Sequence, residues 1–142
     1  MSKHLLWAAA AAALLSGCSV SMAPTVSSSS SALSAGRELT VEEKKLIAES
    51  LSESIRDQAK AKYLWAPFPA KAPANGQGHY CAIVNAKSPH APYSGLQPYL
   101  VQVQIANGQI VSSVVGSIAG GADGRIVRNL CAKHGLNPND AV

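Results

Sequence analysis

Residues 99–115 read Tyr99-Leu100-Val101-Gln102-Val103-Gln104-Ile105-Ala106-Asn107-Gly108-Gln109-Ile110-Val111-Ser112-Ser113-Val114-Val115. Before Asn107 the apolar and polar residues alternate with a period of two, the pattern of a half-buried strand. A second β-branched run follows Gly108. Asn-Gly is the preferred centre of a two-residue type I′ turn, because both positions need positive φ. This turn sets a register pairing Ile105 with Ile110, Val103 with Ser112 and Val101 with Val114. Gln102 and Gln104 then fall on the opposite face. An antiparallel hairpin is therefore the centre of the fold.

Working upstream, His79 to Asn85 reads as a strand, followed by a loop from Ala86 to Gly95 that contains Pro89, Pro92 and Gly95. Pro67, Pro69 and Pro73 exclude regular structure over Ala66 to Gly78. Tyr63, Leu64, Trp65 and Phe68 form the densest aromatic-apolar cluster outside the N-terminal leader. The cluster is read as a plug at one end of the core, with an exposed recognition patch as the alternative. Further upstream, Thr40 and Glu43 have the spacing of a capping box. Ile47, Leu51, Ile55 and Ala59 follow at four-residue spacing, extended by Val41 and Tyr63, so a helix is expected from Thr40 to about Lys62. Its other face, with Lys45, Glu49, Ser52, Arg56 and Lys60, is read as solvated. Downstream, Asp123 is expected to cap a helix from Gly124 to His134 that buries Ile126, Val127, Leu130 and Cys131. Gly135 and Leu136 suit a Schellman ending. The expected class is α+β: a strand plus the Asn-Gly hairpin form a small antiparallel sheet covered by an N-terminal and a C-terminal helix, both on one face.

The N-terminus supplies the address. Lys3, an apolar run from Leu5 to Leu15, and the small residues Ser16 and Gly17 have the three-part layout of a secretory signal peptide. The apolar run is too short for a membrane span, which needs about 20 residues. Leu15-Ser16-Gly17-Cys18 resembles the bacterial lipobox. The resemblance implies a signal peptide over residues 1–17, cleavage before Cys18 and acylation of Cys18, palmitate included. Several acyl chains anchor firmly where one only hovers, each buried methylene contributing about 0.8 kcal/mol. Ser19 after the cysteine implies sorting to the outer membrane, facing the periplasm. Residues 18–38, with five consecutive serines from Ser27 to Ser31, form a tether too polar to order itself. A single domain is expected over residues 39–142.

Removal of the leader leaves eleven cations against eight anions, without a Lys/Arg block. That argues against nucleic acid, which calls for a concentrated basic stripe. With Cys18 acylated, Cys81 and Cys131 remain. An even remainder in an oxidising compartment reads as one disulfide. A metal site drawn from these thiols with His79 or His134 lacks Cys-x-x-Cys or His-x-x-x-His spacing. No cofactor motif is present. An enzymatic reading finds no nucleophile, base and orienting group at recognisable spacing. Gly116, Gly120 and Gly124 are read as a flexible connection rather than a glycine zipper, since Asp123 and Arg125 interrupt them.

Cys81-x-x-Val84-Asn85-x-Lys87, five residues, Tyr93-x-Gly95 and then Tyr99 resemble a signature of small uncharacterised proteobacterial envelope proteins. The likeness spans about twenty residues and departs at Ser88 to Pro92, where glycines are more common. It implies a shared fold and brings no activity. Structurally, Asn85 suits loop backbone groups, Lys87 can pack its stem under Tyr93, and Gly95 frees the turn into the next strand. Functionally, Asn85, Lys87, His90 and Tyr93 are the candidate ligand loop. The chain is thus expected to be a non-enzymatic envelope lipoprotein, held to the membrane by its lipid, whose domain binds an envelope protein or glycan. The alternatives are an accessory subunit of an outer-membrane or secretion assembly and a small-molecule or inhibitor-type binding module. An exposed aromatic patch at Trp65 and Phe68 would favour the assembly role; a concave pocket beside Asn85 and Lys87 would favour the binding module.

Overall fold

A computed structural model of the chain describes residues 36–87, 89 and 95–141. These residues form an α+β fold with two helices and a four-stranded antiparallel sheet. In chain order the elements are α1 (Val41–Ser50), β1 (Lys62–Leu64), β2 (Gly76–Asn85), β3 (Leu96–Ala106), β4 (Gln109–Ile118) and α2 (Gly124–Lys133). The strands lie side by side in sequence order.

The hairpin forms where expected. Asn107 and Gly108 adopt φ of 52° and 75°, the pair of positive values that a type I′ turn demands. Ile105 pairs with Ile110 as the turn predicts, but the register then shifts. Gln104 pairs with Ser112, leaving Val111 as the extra residue of a bulge, so Val103 faces Ser113 and Val101 faces Val115. A bulge of one residue exchanges the faces of the residues beyond it, here until a second shift between Leu100 and Val101 restores them. Val114, expected inside, is 63% exposed, and Val115 packs against the core in its place. The shift also brings Ser113 beneath α1, where its hydroxyl lies 3.2 Å from that of Ser50.

Period-two alternation separates two apolar clusters across the sheet. Tyr80, Ala82 and Val84 of β2 join Tyr99, Val101, Val103 and Ile105 of β3 in one cluster with Ile47, Leu51 and Ile55. Ile47 and Leu51 are fully buried, and burying each such side chain contributes about 1.5–3 kcal/mol. Cys81 and Leu100, one position out of phase, form the second cluster with Val127 and Cys131 of α2. The expectation that both helices share one face is thereby corrected, because a residue that meets Cys81 lies opposite one that meets Tyr80 and Ala82.

The N-terminal helix is shorter than its periodicity predicts. Thr40 and Glu43 form both hydrogen bonds of the capping box, but α1 stops at Ser50 rather than near Lys62. Ser52 to Ser54 form a single 3-10 turn, Ile55 is extended and Asp57 adopts a left-handed φ of 54°. Two competing hydrogen-bond sets explain the early stop. The Arg56 N–H donates to the Lys87 carbonyl at 2.6 Å, and β1 pairs with β2 through Lys62–Asn85, Tyr63–Val84 and Leu64–Ile83. Ile55 remains buried outside a helix, whereas Ala59 is exposed.

β2 begins at Gly76, three residues before the expected start, while the proline-rich stretch before it stays irregular. That stretch holds the hairpin turn: the Gly108 N–H donates to the Ala74 carbonyl and the Asn107 N–H to Asn75 Oδ1. At the C-terminus, α2 ends in the Schellman pattern, Leu136 N–H to the Cys131 carbonyl and Gly135 N–H to the Ala132 carbonyl. Asp123 sits at the cap position of α2 without a side-chain capping bond, and Ile126 is 59% exposed rather than buried.

Candidate functional site

The Cys81–Lys87 segment forms the end of β2 and the first residues beyond it. Gln97, itself buried, donates from Nε2 to the Ala86 carbonyl at 2.7 Å. The Ala86 N–H reaches the Gly95 carbonyl at 3.1 Å, and the Lys87 carbonyl accepts from Arg56. Gly95 has φ of 57°, so the proposed freedom to turn into β3 is used. Three backbone anchors therefore hold residues 85–87 at fixed height on the sheet rim.

Here the chain opens into a cleft of about 170 Å³. Asn85, Lys87 and Gly95 line one side; Arg56, Asp57 and Lys60, from the irregular segment after α1, line the other. The five side chains are all exposed. Among the described residues the ion pairs are Arg37–Glu43 and Lys45–Glu49, so none of the cleft's charges is neutralised within the fold. Three cations and one carboxylate share a small concave surface, which concentrates positive potential there. Asn85 and Lys87 thus come together as the sequence suggests. His90, Tyr93 and the lipidation residue Cys18 lie outside the described residues. Arg56 and Lys60 were read as one solvated helix face; the early end of α1 is what delivers them, with Asp57, to the cleft.

The Cys81 and Cys131 sulfurs are 2.13 Å apart, at disulfide distance, with Cα atoms separated by 6.1 Å. Both are buried. His79 and His134 stack beside each other with ring centroids 3.6 Å apart. Burial, and secondarily the charge His134 would carry, lower the pKa of His79.

The aromatic cluster points inward. Phe68 is 3% exposed, and Trp65, half-buried, stacks on Tyr63 with centroids 5.0 Å apart. Lys44 Nζ lies 5.9 Å from the Trp65 centroid, within cation–π range. Deeper in, the Tyr80 hydroxyl donates to the Ala66 carbonyl at 2.7 Å, and burial raises the phenol pKa of Tyr80 and Tyr99.

Glu43 does more than the cap its spacing implies. Glu43 is 1% exposed and receives both Nη atoms of Arg37, the Thr40 N–H and the Ile110 N–H. Arg37 Nη2 also donates to the Gly108 carbonyl, and its backbone exchanges two hydrogen bonds with Phe68. Arg37, assigned to the tether from sequence, is therefore bound into the fold. The capping-box spacing marks Glu43 as a cap, but nothing local marks it as buried.

No family model, curated protein or solved structure matches the chain. Among the described residues no helix is long and apolar enough to cross a membrane.

Proposed function

We propose that the chain is an exported envelope lipoprotein, anchored through Cys18 to the outer membrane and facing the periplasm, whose domain is a non-enzymatic binding module for an acidic envelope component. In this reading one α+β domain follows the tether, its sheet covered by a helix on each face. The observation that carries the binding role is the cleft between Arg56, Lys60 and Lys87, open beside Asn85 and without an ion pair among the described residues. The burial of Phe68 and the stacking of Trp65 on Tyr63 favour this over an assembly role through an aromatic patch. A lipid anchor suits such a role, since it confines the cleft to the membrane surface.

A photo-crosslinking residue at position 85 tests the binding role in intact cells. It will trap an envelope component, whereas the same residue at Val41, 77% exposed and not lining the cleft, will not. Combined Lys60→Glu and Lys87→Glu will reduce the trapped fraction about tenfold or more, as expected for reversed charge at a contact site. Equal trapping at both positions, or no effect of charge reversal, would overturn the reading. The anchor is tested separately: Cys18→Ala will move the protein from the membrane to the soluble periplasmic fraction, and unchanged fractionation would remove that part of the proposal.

A further inference from the structure

We infer that the cleft selects an anion flanked by hydroxyl groups, as a sugar acid or sugar phosphate presents, and that Asp57 enforces the selection. The inference rests on the cleft being the module's binding site. Its starting point is the mixed charge of the lining: Arg56, Lys60 and Lys87 attract an anion, while the Asp57 carboxylate repels one. A bare oxyanion has nothing but acceptor oxygens to offer Asp57. A ligand carrying hydroxyls beside its anionic group can turn an O–H toward the carboxylate, forming a charge-assisted hydrogen bond. Asn85, whose amide both donates and accepts, can meet a second hydroxyl. The volume of about 170 Å³ lies below that of a drug-sized pocket and suits one sugar-sized unit of an open chain.

The backbone at Asp57 supports a role beyond folding. Its φ of 54° and ψ of 59° are left-handed, a conformation that glycine adopts freely and that aspartate and asparagine adopt more readily than other residues. The flanks hold it there. Arg56 N–H is fixed to Lys87, Gln58 Nε2 donates to the Ala48 carbonyl at 3.1 Å, and the Lys60 N–H returns to the Asp57 carbonyl at 2.8 Å. The Asp57 side chain makes no capping hydrogen bond to the turn that follows. The fold thus favours glycine at this position and gains no cap from the carboxylate. Left-handed backbone suits aspartate better than most residues, so the conformation is compatible with a carboxylate kept at the mouth of the cleft.

Nuclear magnetic resonance titration of the mature protein in detergent micelles tests the inference. Amide shifts of Asn85 and Gly95 are followed with glucuronate, glucose 6-phosphate, glucose and sulfate, a tetrahedral anion without an O–H, at constant ionic strength. At least one of the two anionic sugars will bind about tenfold more tightly than either sulfate or glucose, and which of them does so identifies a carboxyl or a phosphoryl group as the anion. Asp57→Asn and Asp57→Gly will both narrow the gap over sulfate to about twofold, mainly by improving sulfate binding. Asp57→Gly will do so with an unchanged or higher thermal midpoint, which separates selection from folding. Sulfate binding as tight as that of both anionic sugars would overturn the selection and leave the cleft as a general anion site; selectivity unchanged in both variants would overturn the role of Asp57. Absence of shifts with every anion would overturn the cleft itself.

Discussion

Replacing Glu43 with alanine will lower the unfolding free energy by about 3–4 kcal/mol, read as a fall in the urea midpoint. Breaking a buried charged pair costs about 3–5 kcal/mol when the surviving partner is left in a low-dielectric site. Here the lower part of that range applies, because the Arg37 side chain is 37% exposed and reaches water. Part of that cost comes from backbone donors. Ile110, 3% exposed on the terminal strand β4, has its N–H directed to Glu43 Oε1 at 2.8 Å. Without the carboxylate that N–H has no comparable acceptor, and a buried unsatisfied donor costs about 1–3 kcal/mol. The Thr40 N–H also loses its carboxylate acceptor, although Thr40 Oγ1 still accepts from the residue 43 N–H. Glu43→Gln, which keeps the shape and one acceptor, will cost less than half as much. An alanine variant within 1 kcal/mol of wild type would show that the Glu43 cluster is not a stabilising hub.

The same carboxylate gives stability an acid limb. Burial alone would raise the Glu43 pKa. The Arg37 hydrogen bonds, the Ile110 and Thr40 N–H groups and the Arg37 charge outweigh it and hold the group at about 2. With a folded pKa below the unfolded 4.5, the unfolded chain binds the proton first as pH falls. The contribution is therefore complete above about pH 4.5 and drains away between there and about pH 2. His79, whose pKa is also lowered, adds a weaker decline that begins as pH drops through 6.5. Wild type will show both limbs in urea midpoints measured across pH, and Glu43→Ala only the upper one.

How far the sequence carries depends on the range of the forces involved. Most local signals held: the Asn107-Gly108 turn, the Thr40 capping box and the Gly135-Leu136 helix ending all form, since each depends on neighbours within a few residues, whereas Asp123 makes no capping bond to α2. Signals that rely on repetition failed where a distant partner competed. The four-residue spacing through Ile55 and Ala59 reads as helix, yet the Lys87 carbonyl and the β2 backbone take the hydrogen bonds that would have continued it. The Val111 bulge has no local marker, and it alone exchanged Val114 for Val115 in the core. The opposition of the two helices was half legible. Cys81 alternates out of phase with Tyr80 and Ala82, so a bridge to Cys131 puts α2 on the face away from those residues, but no pattern in α1 says which face it chooses. Of the candidate site, Asn85 and Lys87 were readable from their motif. Arg56, Asp57 and Lys60 were not, because they reach the cleft only through the unforeseen end of α1.

Removing the Cys81–Cys131 bridge will cost about 4 kcal/mol, the chain-entropy value for a loop of this length, whose ends are 50 residues apart. The loss will be uneven. The sheet face that carries Tyr80 and Val101 is backed by the larger apolar cluster, with Ile47, Leu51, Ile55 and Phe68. α2 rests on a smaller one, where Val127 and Cys131 are the buried helix side chains that meet Cys81 and Leu100. A helix of ten residues is marginal without tertiary support, and Ile126, which could have widened its apolar face, points to solvent. Reduction, or Cys81→Ala with Cys131→Ala, will therefore release α2 and the Pro138–Asp140 turn first. In hydrogen exchange, amides of 124–136 will lose protection beyond the roughly thousandfold that 4 kcal/mol of global stability takes from those of 99–105 in β3. Uniform loss across both regions would mean that the helix and the sheet open as one unit. Unchanged protection at 124–136, or two free thiols in non-reducing mass spectrometry of periplasmic material, would show that the bridge does not hold this face together.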